Sequence, residues 1–295
     1  MTSFVALTSG TGWHVEDLLR AAGKLGVELR VLPFAEVEAS LGTEAEGVAA
    51  AGVLLDAADG VLVRMMPPGT LEQVVFRMDA LLRLTAAGAT VWNPPRAVEA
   101  AVDKYLTLSL LERRGLPIPT TWTGQTAASA LAAFDALGGD AVVKPLFGSE
   151  GRGLLRVSDR ELAWRCFHAL ERMGSVIYLQ KPIRHPGHDL RLFVLRGRVL
   201  AAMRREARAG EWRTNVALGG RAEAWTPDAE AETMAVAAAE AIGAAFAGVD
   251  VIEDQDAGRR LIVEVNAAPG WKALSQATGI DVAAAVLDAL REASR

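Results

Sequence analysis

The sequence predicts an α/β protein built from two successive modules. Over roughly the first hundred residues, short apolar runs alternate with amphipathic helical stretches, which is the pattern of an open parallel sheet. The alternation resumes after Pro117 and Pro119. Near the C-terminus, two apolar runs flank a tract rich in Asp and Gly within residues 248–270, a pattern typical of two antiparallel strands.

The composition is that of a globular protein with a sizeable core. The chain has 295 residues, of which 51% are hydrophobic, and a net charge of −5 argues against a general basic field for nucleic acid. No apolar run is long enough to span a membrane, and the N-terminus lacks the charged region of a signal peptide. The single cysteine, Cys166, excludes an internal disulfide. We therefore expect a cytoplasmic protein that acts without nucleic acid or a membrane.

In the N-terminal module, apolar runs predict four strands, at residues 3–8, 27–32, 60–65 and 89–93. Amphipathic patterns predict helices at about 14–24 and 70–84, and the second begins with a capping box formed by Thr70 and Gln73. The loop at residues 9–12, SGTG, has the glycines of a phosphate-binding turn. It lacks the full dinucleotide fingerprint and a P-loop lysine, so a plain turn is the alternative.

The rest of the chain continues the α/β pattern. Helices are expected at about 97–114, 126–137, 159–173, 228–246 and 281–293. Strands are expected at 140–146, 153–158 and 176–183, and residues 190–205 predict a β-hairpin that turns at Gly197-Arg198.

The two strands near the C-terminus carry oxygen ligands. Asp250 lies on the first, while Glu264 and Asn266 lie two residues apart on the second and therefore on one face. Burying carboxylates in apolar strands is costly without a cation or hydrogen-bond partners. Magnesium usually takes one or two carboxylates and keeps other positions for water and phosphate. The alternative is a sheet edge whose carboxylates face water.

A second group of residues predicts a phosphate site. Lys144 ends a strand just before a loop that contains Gly148, Gly151 and Gly153. Glycines let the backbone approach a ligand and expose N–H groups to an anion, and a neighbouring lysine reaches phosphate as a point charge. Lys104 could supply a second charge. Alone, either lysine would be read as a solvated surface residue.

Other residues leave two interpretations open. His14 and Trp271 could face a substrate, or could belong to a helix start and to packing against the final helix. His185 and His188 are separated by Pro-Gly, which favours a loop over a metal site. Cys166 lies in a predicted helix and fits a small buried hydrophobe better than a nucleophile.

In their order along the chain, these motifs resemble the ATP-grasp superfamily, and most closely its RimK-like α-L-glutamate ligases. The matching stretches are DKYLTLSLLERRGLPIP, VVKPLFGSEGRG, LQKPI, HDLRLFVL, EWRTNVALGG, AGVD and LIVEVNAAPG. The resemblance runs from about Asn93 to the C-terminus. It implies an ATP-grasp fold behind an open parallel-sheet (pre-ATP-grasp) domain. The implied domains are 1–96, 97–180 with a Gly-rich lid, and 181–295 with a magnesium site.

The resemblance also implies a role for each matching residue. Lys104 and Lys144 would bind the phosphates of the nucleotide. The lid over these phosphates would contain Gly148, Ser149, Gly151 and Gly153. The adenine would be bound by Gln180, Lys181 and Ile183. Asp189 would hold the ribose, and Arg205 would face nucleotide or substrate. The magnesium ligands would be Asp250, Glu264 and Asn266, and the catalytic residues Arg213, Asn215 and Arg191. Two departures are Lys181, where relatives usually carry glutamate, and VALGG after Asn215.

The implied activity is an ATP-dependent carboxylate–amine ligase that acts through an acyl phosphate. The cofactors would be ATP and Mg²⁺, for which Mn²⁺ can substitute. L-Glutamate would be added to a small cofactor precursor, such as a pterin- or furan-type C1 carrier, or to a protein tail. A kinase acting on a small-molecule acceptor and an ATP-binding scaffold without turnover are the alternatives. A homo-oligomer, either dimer or tetramer, is left open.

Overall fold

The computed structural model describes residues 2–42, 47–148, 153–208 and 220–295. Within them the chain forms a parallel sheet near the N-terminus, two antiparallel sheets further along, and a small antiparallel sheet inserted in the first module. Helices cover these sheets. The predicted α/β class is therefore confirmed.

The N-terminal module contains the four strands and two helices predicted from the sequence, together with further short elements. Its elements are β1 (Ser3–Thr8), α1 (Trp13–Leu25), β2 (Glu28–Pro33), a 3-10 turn (Phe34–Glu36), β3 (Val37–Ser40), β4 (Gly47–Ala50), β5 (Val53–Leu54), β6 (Gly60–Val63), α2 (Leu71–Ala86) and β7 (Val91–Trp92). The four predicted strands form a parallel sheet of order β2-β1-β6-β7. The capping box is present, with Thr70 and Gln73 bonded reciprocally. The sheet β3-β4-β5 was not predicted from the sequence.

The single helix expected at 97–114 is instead two helices, α3 (Pro95–Val102) and α4 (Lys104–Arg113). Between them Asp103 has an extended backbone, and its carboxylate accepts hydrogen bonds from the N–H groups of Tyr105 and Leu106 at 2.9 and 3.0 Å. An aspartate that caps a helix competes with continuation of the preceding one. The break places Lys104 in the first turn of α4.

The next module is a four-stranded antiparallel sheet of order β10-β9-β11-β8. Its elements are β8 (Thr121–Gly124), α5 (Ala127–Ala136), β9 (Ala141–Lys144), β10 (Leu155–Val157), α6 (Arg160–Arg172) and β11 (Ile177–Gln180). The two helices pack against the sheet around Phe134 and Phe167, whose ring centroids are 6.2 Å apart. Strand β8 was missed in the sequence.

The larger antiparallel sheet has the order β14-β13-β12-β15-β16. The elements from this point onward are β12 (His188–Leu195), β13 (Arg198–Glu206), β14 (Arg221–Ala224), α7 (Ala229–Ala241), β15 (Phe246–Asp254), β16 (Arg259–Asn266), α8 (Lys272–Thr278) and α9 (Val282–Ala293). The β12–β13 hairpin turns at Arg196 and Gly197, both at positive φ, one residue earlier than predicted. The helix expected at 228–246 ends at Ala241, because Phe246 already belongs to β15.

The C-terminal helix α9 completes the N-terminal layer. It packs against α1, and a Cβ atom added to Gly60 on β6 would lie 3.1 Å from Leu290. One apolar core cluster therefore contains side chains from both ends of the chain. The domain bounds 1–96, 97–180 and 181–295 remain a prediction.

Among the described residues, no single helix is long and apolar enough to cross a membrane. By length and composition only, α8 and α9 would pass such a test as a pair bent by 108°.

Asn93 fastens the N-terminal module to the large sheet. Its side chain is fully buried, and its Nδ2 donates to the carbonyls of Phe246 and Ala267 at 2.7 and 2.5 Å. Its Oδ1 accepts from the N–H groups of Ala245 and Phe246 at 2.7 and 3.1 Å. One amide thus satisfies four backbone groups where β15 begins and β16 ends.

Replacing Asn93 by leucine should lower the free energy of unfolding by about 3 kcal/mol. A buried polar group left without a partner costs about 1–3 kcal/mol. Leucine has a similar shape to asparagine but would leave the backbone groups bonded to Asn93 without this partner. Urea denaturation followed by circular dichroism measures the change. Thr70→Ala, which removes an exposed helix cap, is the control and should cost about 1 kcal/mol. A loss for Asn93→Leu no larger than that of the control would contradict the role of this amide.

Candidate functional site

Charged and polar side chains form a row across one face of the large sheet. The register pairs Asp189 with Arg205, Arg191 with Asp250, Asp250 with Glu264, and Gly248 with Asn266. Because side chains two residues apart on a strand share a face, all of the charged members of these pairs leave the same side of the sheet. The register therefore brings the three predicted magnesium ligands together.

Two arginines neutralise the central carboxylate. Arg191 forms a bidentate pair with Asp250 at 2.6 and 2.5 Å, and Arg205 Nη2 lies 2.9 Å from the same carboxylate. Burial alone would raise the pKa of Asp250, but the two guanidinium groups outweigh it and hold this pKa below its usual range. Arg205 also forms a bidentate pair with Asp189 at 2.7 and 2.6 Å, so the predicted ribose ligand is already engaged.

Glu264 lies directly opposite Asp250 and has a different environment. Among the described residues no Lys, Arg or His forms a salt bridge with it. Burial raises the pKa of Glu264 and the charge of Asp250 raises it further, while Arg191, Lys104 and Lys144 lower it. A carboxylate in this situation is stabilised by an added cation.

These residues fit a magnesium ion. The described part of the chain contains no cluster of three or more His, Cys, Asp and Glu side chains suited to a metal. The predicted donor set is smaller, with the amide of Asn266 and the carboxylates of Glu264 and Asp250, the last of which is also bonded to Arg191 and Arg205. Such an oxygen set, with few carboxylates, is what magnesium prefers when phosphate and water complete its shell. The carboxylate of Glu264, which forms no salt bridge among the described residues and has a raised pKa, is the observation that favours a cation here.

The two predicted phosphate lysines lie at the small sheet and at α4. Lys144 Nζ donates to Gln180 Oε1 at 2.5 Å, and burial lowers the pKa of Lys144 to about 8. Lys104 Nζ donates to the carbonyl of Gly148 at 2.7 Å, and burial also lowers its pKa. The carboxylate of Glu264 acts electrostatically on both lysines, so the lysines and the charged row belong to one site.

The predicted hinge follows strand β11. The amide of Gln180 is buried and also donates to Thr121 Oγ1 at 3.1 Å. The N–H of Lys181 donates to the carbonyl of Thr120 at 2.9 Å, while the Lys181 side chain is exposed and Ile183 is half-buried. The side chain of Gln180 is therefore hydrogen-bonded to Lys144 and Thr121.

Four predicted site residues, Ser149, Gly151, Arg213 and Asn215, lie outside the described residues. The glycines that flank the first gap are described. Gly148 and Gly153 have φ of +147° and +74°, and a Cβ on either would lie 3.3 or 3.4 Å from Pro145. Backbone conformation alone therefore requires glycine at both positions.

The residues with two open interpretations are now placed. Trp271 is fully buried and packs edge-on against His14, with ring centroids 5.2 Å apart, so it contributes to packing. His14 Nε2 accepts from the N–H of Trp271 at 3.1 Å, and burial together with the charge of Arg64 lowers the pKa of His14 to about 4. His185 accepts a hydrogen bond from the N–H of Gly187 within the loop between β11 and β12.

Sequence reasoning did not single out Arg64, which immediately follows β6. Its guanidinium is buried and lies 4.4 Å from the ring centre of Trp271. The available signal was an arginine at the end of a strand of otherwise apolar residues, GVLVRM. Cys166 is half-buried, and burial raises the pKa of its thiol, as expected for a packing residue.

Comparison with known proteins gives a consistent result. Residues 101–290 match the family model of the RimK-like ATP-grasp domain. A tetrahydromethanopterin:alpha-L-glutamate ligase of Methanosarcina acetivorans is 34% identical over 97% of this chain and 98% of its own length. A probable alpha-L-glutamate ligase 1 of Shewanella amazonensis is 32% identical over 96% and 92%. The solved structure of the ATP-grasp ligase PsnB, complexed with minimal precursor, has a TM-score of 0.78 at 23% identity and covers 100% of this chain and 99% of its own. That likeness confirms the predicted fold.

Replacing Glu264 by glutamine should stabilise the protein while weakening the cation site. Because the pKa of Glu264 is raised in the folded state, its charge opposes folding at neutral pH, and stability rises as pH falls through the raised pKa. A neutral isostere should raise the free energy of unfolding by roughly 0.5–2 kcal/mol, the range common for single stabilising substitutions. Urea denaturation at pH 7 tests this. Glu253→Gln, on the neighbouring strand, is the control; a destabilised Glu264→Gln would refute the prediction.

Proposed function

Because the chain belongs to the RimK-like ATP-grasp family, we propose that it joins the amino group of L-glutamate to a carboxylate of a pterin-type acceptor. Membership of this family makes the chain an ATP-dependent carbon–nitrogen ligase, and what we propose is the identity of the acceptor and of the amino acid. The observation that carries the proposal is the face on which Asp250, Glu264 and Asn266 meet two lysines. Two relatives whose names specify tetrahydromethanopterin and L-glutamate support the choice of substrates.

In this proposal the two antiparallel sheets, together with α4, bind different parts of MgATP. Lys104 and Lys144 neutralise phosphate oxygens, while the backbone around Lys181 and Ile183 lies along the adenine. Asp250, Glu264 and Asn266 hold Mg²⁺, for which Mn²⁺ substitutes because it also takes oxygen ligands. When bound, the metal offsets the charge of the reacting phosphates.

The reaction then needs positioning and charge neutralisation more than a reactive side chain. The acceptor carboxylate attacks the γ-phosphorus of ATP, and ADP leaves. The amine of L-glutamate, in its neutral form, attacks the acyl phosphate carbon. The tetrahedral intermediate expels phosphate, which takes up the proton lost from the nitrogen, to give the amide. Lys104 and Lys144 lower the charge on the phosphates during transfer, and Arg191 adds a third cation. In this proposal Arg213 and Asn215 contact the transferred phosphate and the acyl intermediate.

A carboxylate acceptor suits the site because it is ionised at neutral pH and requires no base. A hydroxyl acceptor would require a side chain that removes its proton. Among the described residues, Asp189 and Asp250 are paired with arginines, and Glu264 is the remaining carboxylate of the row. A proton-accepting role for Glu264 would compete with its role toward the cation.

The protein should form an amide from tetrahydromethanopterin, L-glutamate and MgATP, and release free phosphate. With hydroxylamine in place of glutamate, the activated acid should be intercepted as a hydroxamate. Mass spectrometry of the pterin product and a phosphate assay provide the measurements, with D-glutamate and Glu264→Gln as controls. A phosphorylated pterin with neither hydroxamate nor free phosphate would show a kinase. If the pterin gives nothing, a peptide with a C-terminal glutamate is the next acceptor.

Nucleotide affinity should fall in alkaline solution because of Lys144. Its pKa of about 8 means that the free protein loses this charge as pH rises through that value, whereas bound phosphate favours the protonated form. One linked proton implies that the affinity for ADP falls about tenfold between pH 7 and pH 9. Isothermal titration calorimetry across this range measures the change.

The matched variants are Lys144→Arg, which stays charged, and Lys144→Met, which is never charged. Both should bind ADP with little dependence on pH in this range, the methionine variant more weakly. A methionine variant whose affinity keeps the tenfold dependence would assign the effect to another group.

A further inference from the structure

The five residues that follow the cation-site strand β16, Ala267 to Trp271, are held by side chains of the N-terminal module. We call them the 267–271 turn. The carbonyl of Ala267 accepts from Asn93, and those of Ala268 and Pro269 accept from Arg64 Nη1 and Nη2, each at 2.9 Å. The N–H of Trp271 donates to His14. Four polar backbone groups in five residues are therefore bonded to another part of the fold.

Arg64 is the least expected of these partners. It is only 3% exposed, and the described residues offer it no carboxylate: no salt bridge includes it, and its Nε is buried without a partner. Burial lowers the pKa of Arg64 to about 10, so it remains charged at neutral pH. A buried cation without a counter-ion is unfavourable. Two carbonyl dipoles and the ring of Trp271 are what stabilise it here.

The opposite side of the turn packs against Gly248 of β15, beside the proposed cation site. A Cβ atom placed on Gly248 would lie 2.8 Å from Pro269 Cβ and 3.8 Å from Arg191 Nε. Gly248 is in register with Asn266 and lies two residues before Asp250. Pro269 is thus fixed between the guanidinium of Arg64 and the strand that carries the central carboxylate. A shift of the turn would move Asn266 at one end and release the contact with Gly248 at the other.

We propose that Arg64 is a positioning residue for the cation site. Its planar fork fixes two successive carbonyls at once, which sets where Asn266 lies relative to Asp250 and Glu264. A lysine keeps the charge but bonds without this planar geometry, so it should not replace arginine here. The inference rests on the proposed function only in requiring that the site binds magnesium together with a nucleotide.

The test measures ADP binding by calorimetry with and without Mg²⁺. Partners of metal ligands typically change metal affinity about 10–100-fold when they are mutated. Arg64 contacts the turn rather than a ligand, so the gain in ADP affinity that Mg²⁺ gives should fall about tenfold, the lower end of this range, in Arg64→Lys and Arg64→Met, while ADP binding without Mg²⁺ stays at the wild-type value. The readout requires no turnover and no knowledge of the acceptor.

Arg77→Lys is the matched control. Arg77 is also a buried arginine of the N-terminal module, 6% exposed, but it donates to the carbonyl of Pro67 at 2.9 Å rather than to the turn. Its substitution should lower the urea midpoint and leave the Mg²⁺ effect unchanged. If Arg64 contributed only to stability, its variants would likewise have a lower urea midpoint and an unchanged Mg²⁺ effect.

The inference is wrong if both Arg64 variants keep the wild-type gain from Mg²⁺, whatever their stability. If the methionine variant does not fold, the lysine variant decides, since it retains the charge and most of the volume. The proposed function is judged separately, by amide formation in the wild type. A wild-type protein that makes no amide, while only the Arg64 variants lose the Mg²⁺ effect, supports the role of Arg64 and rejects the acceptor.

Discussion

The carboxylate of Asp250, held between two guanidinium groups, is the interaction on which the site depends. Its neutralisation by Arg191 and Arg205 lets a second carboxylate, Glu264, lie directly opposite on the next strand. Among the described residues, the charged row and the two predicted phosphate lysines together contribute three carboxylates and four cations, namely Asp189, Asp250, Glu264, Arg191, Arg205, Lys104 and Lys144. The carboxylate of Asp103 also acts on Lys104. ATP carries about four negative charges and its Mg²⁺ complex about two, so in the proposed function the four cations offset part of the charge of the ligand.

The parts of this arrangement that could be predicted are those that short-range rules determine. The period of two along a strand places Glu264 and Asn266 on one face, and the register agrees. The reciprocal bonds of Thr70 and Gln73 follow from a local pattern of four residues. The order of strands and helices in the first module also follows from periodicity, because each element is amphipathic or wholly apolar over its own length.

The remaining features depend on contacts that no local pattern encodes. Asp103 lies in a stretch that the sequence predicts as one continuous helix, and the structure shows it with an extended backbone as the cap of α4. The pairing of Arg191 with Asp250 joins strands 59 residues apart, and Arg64 meets its carbonyls more than 200 residues away. Arg191 was predicted as a catalytic residue through family resemblance. Arg64 was missed because an arginine at a strand end carries no sign of its partner.

Burial shifts the pKa values of two groups of this site in opposite directions. Burial lowers the pKa of Lys144 and raises that of Glu264, so each shift favours the uncharged form of its group. A bound phosphate favours the charged lysine, and a bound cation favours the charged glutamate. Binding of a magnesium nucleotide therefore reverses both shifts, because it raises the pKa of Lys144 and lowers that of Glu264. The phosphate and the metal act on different groups, so the two parts of the ligand contribute separately to stabilising the charged form of the site.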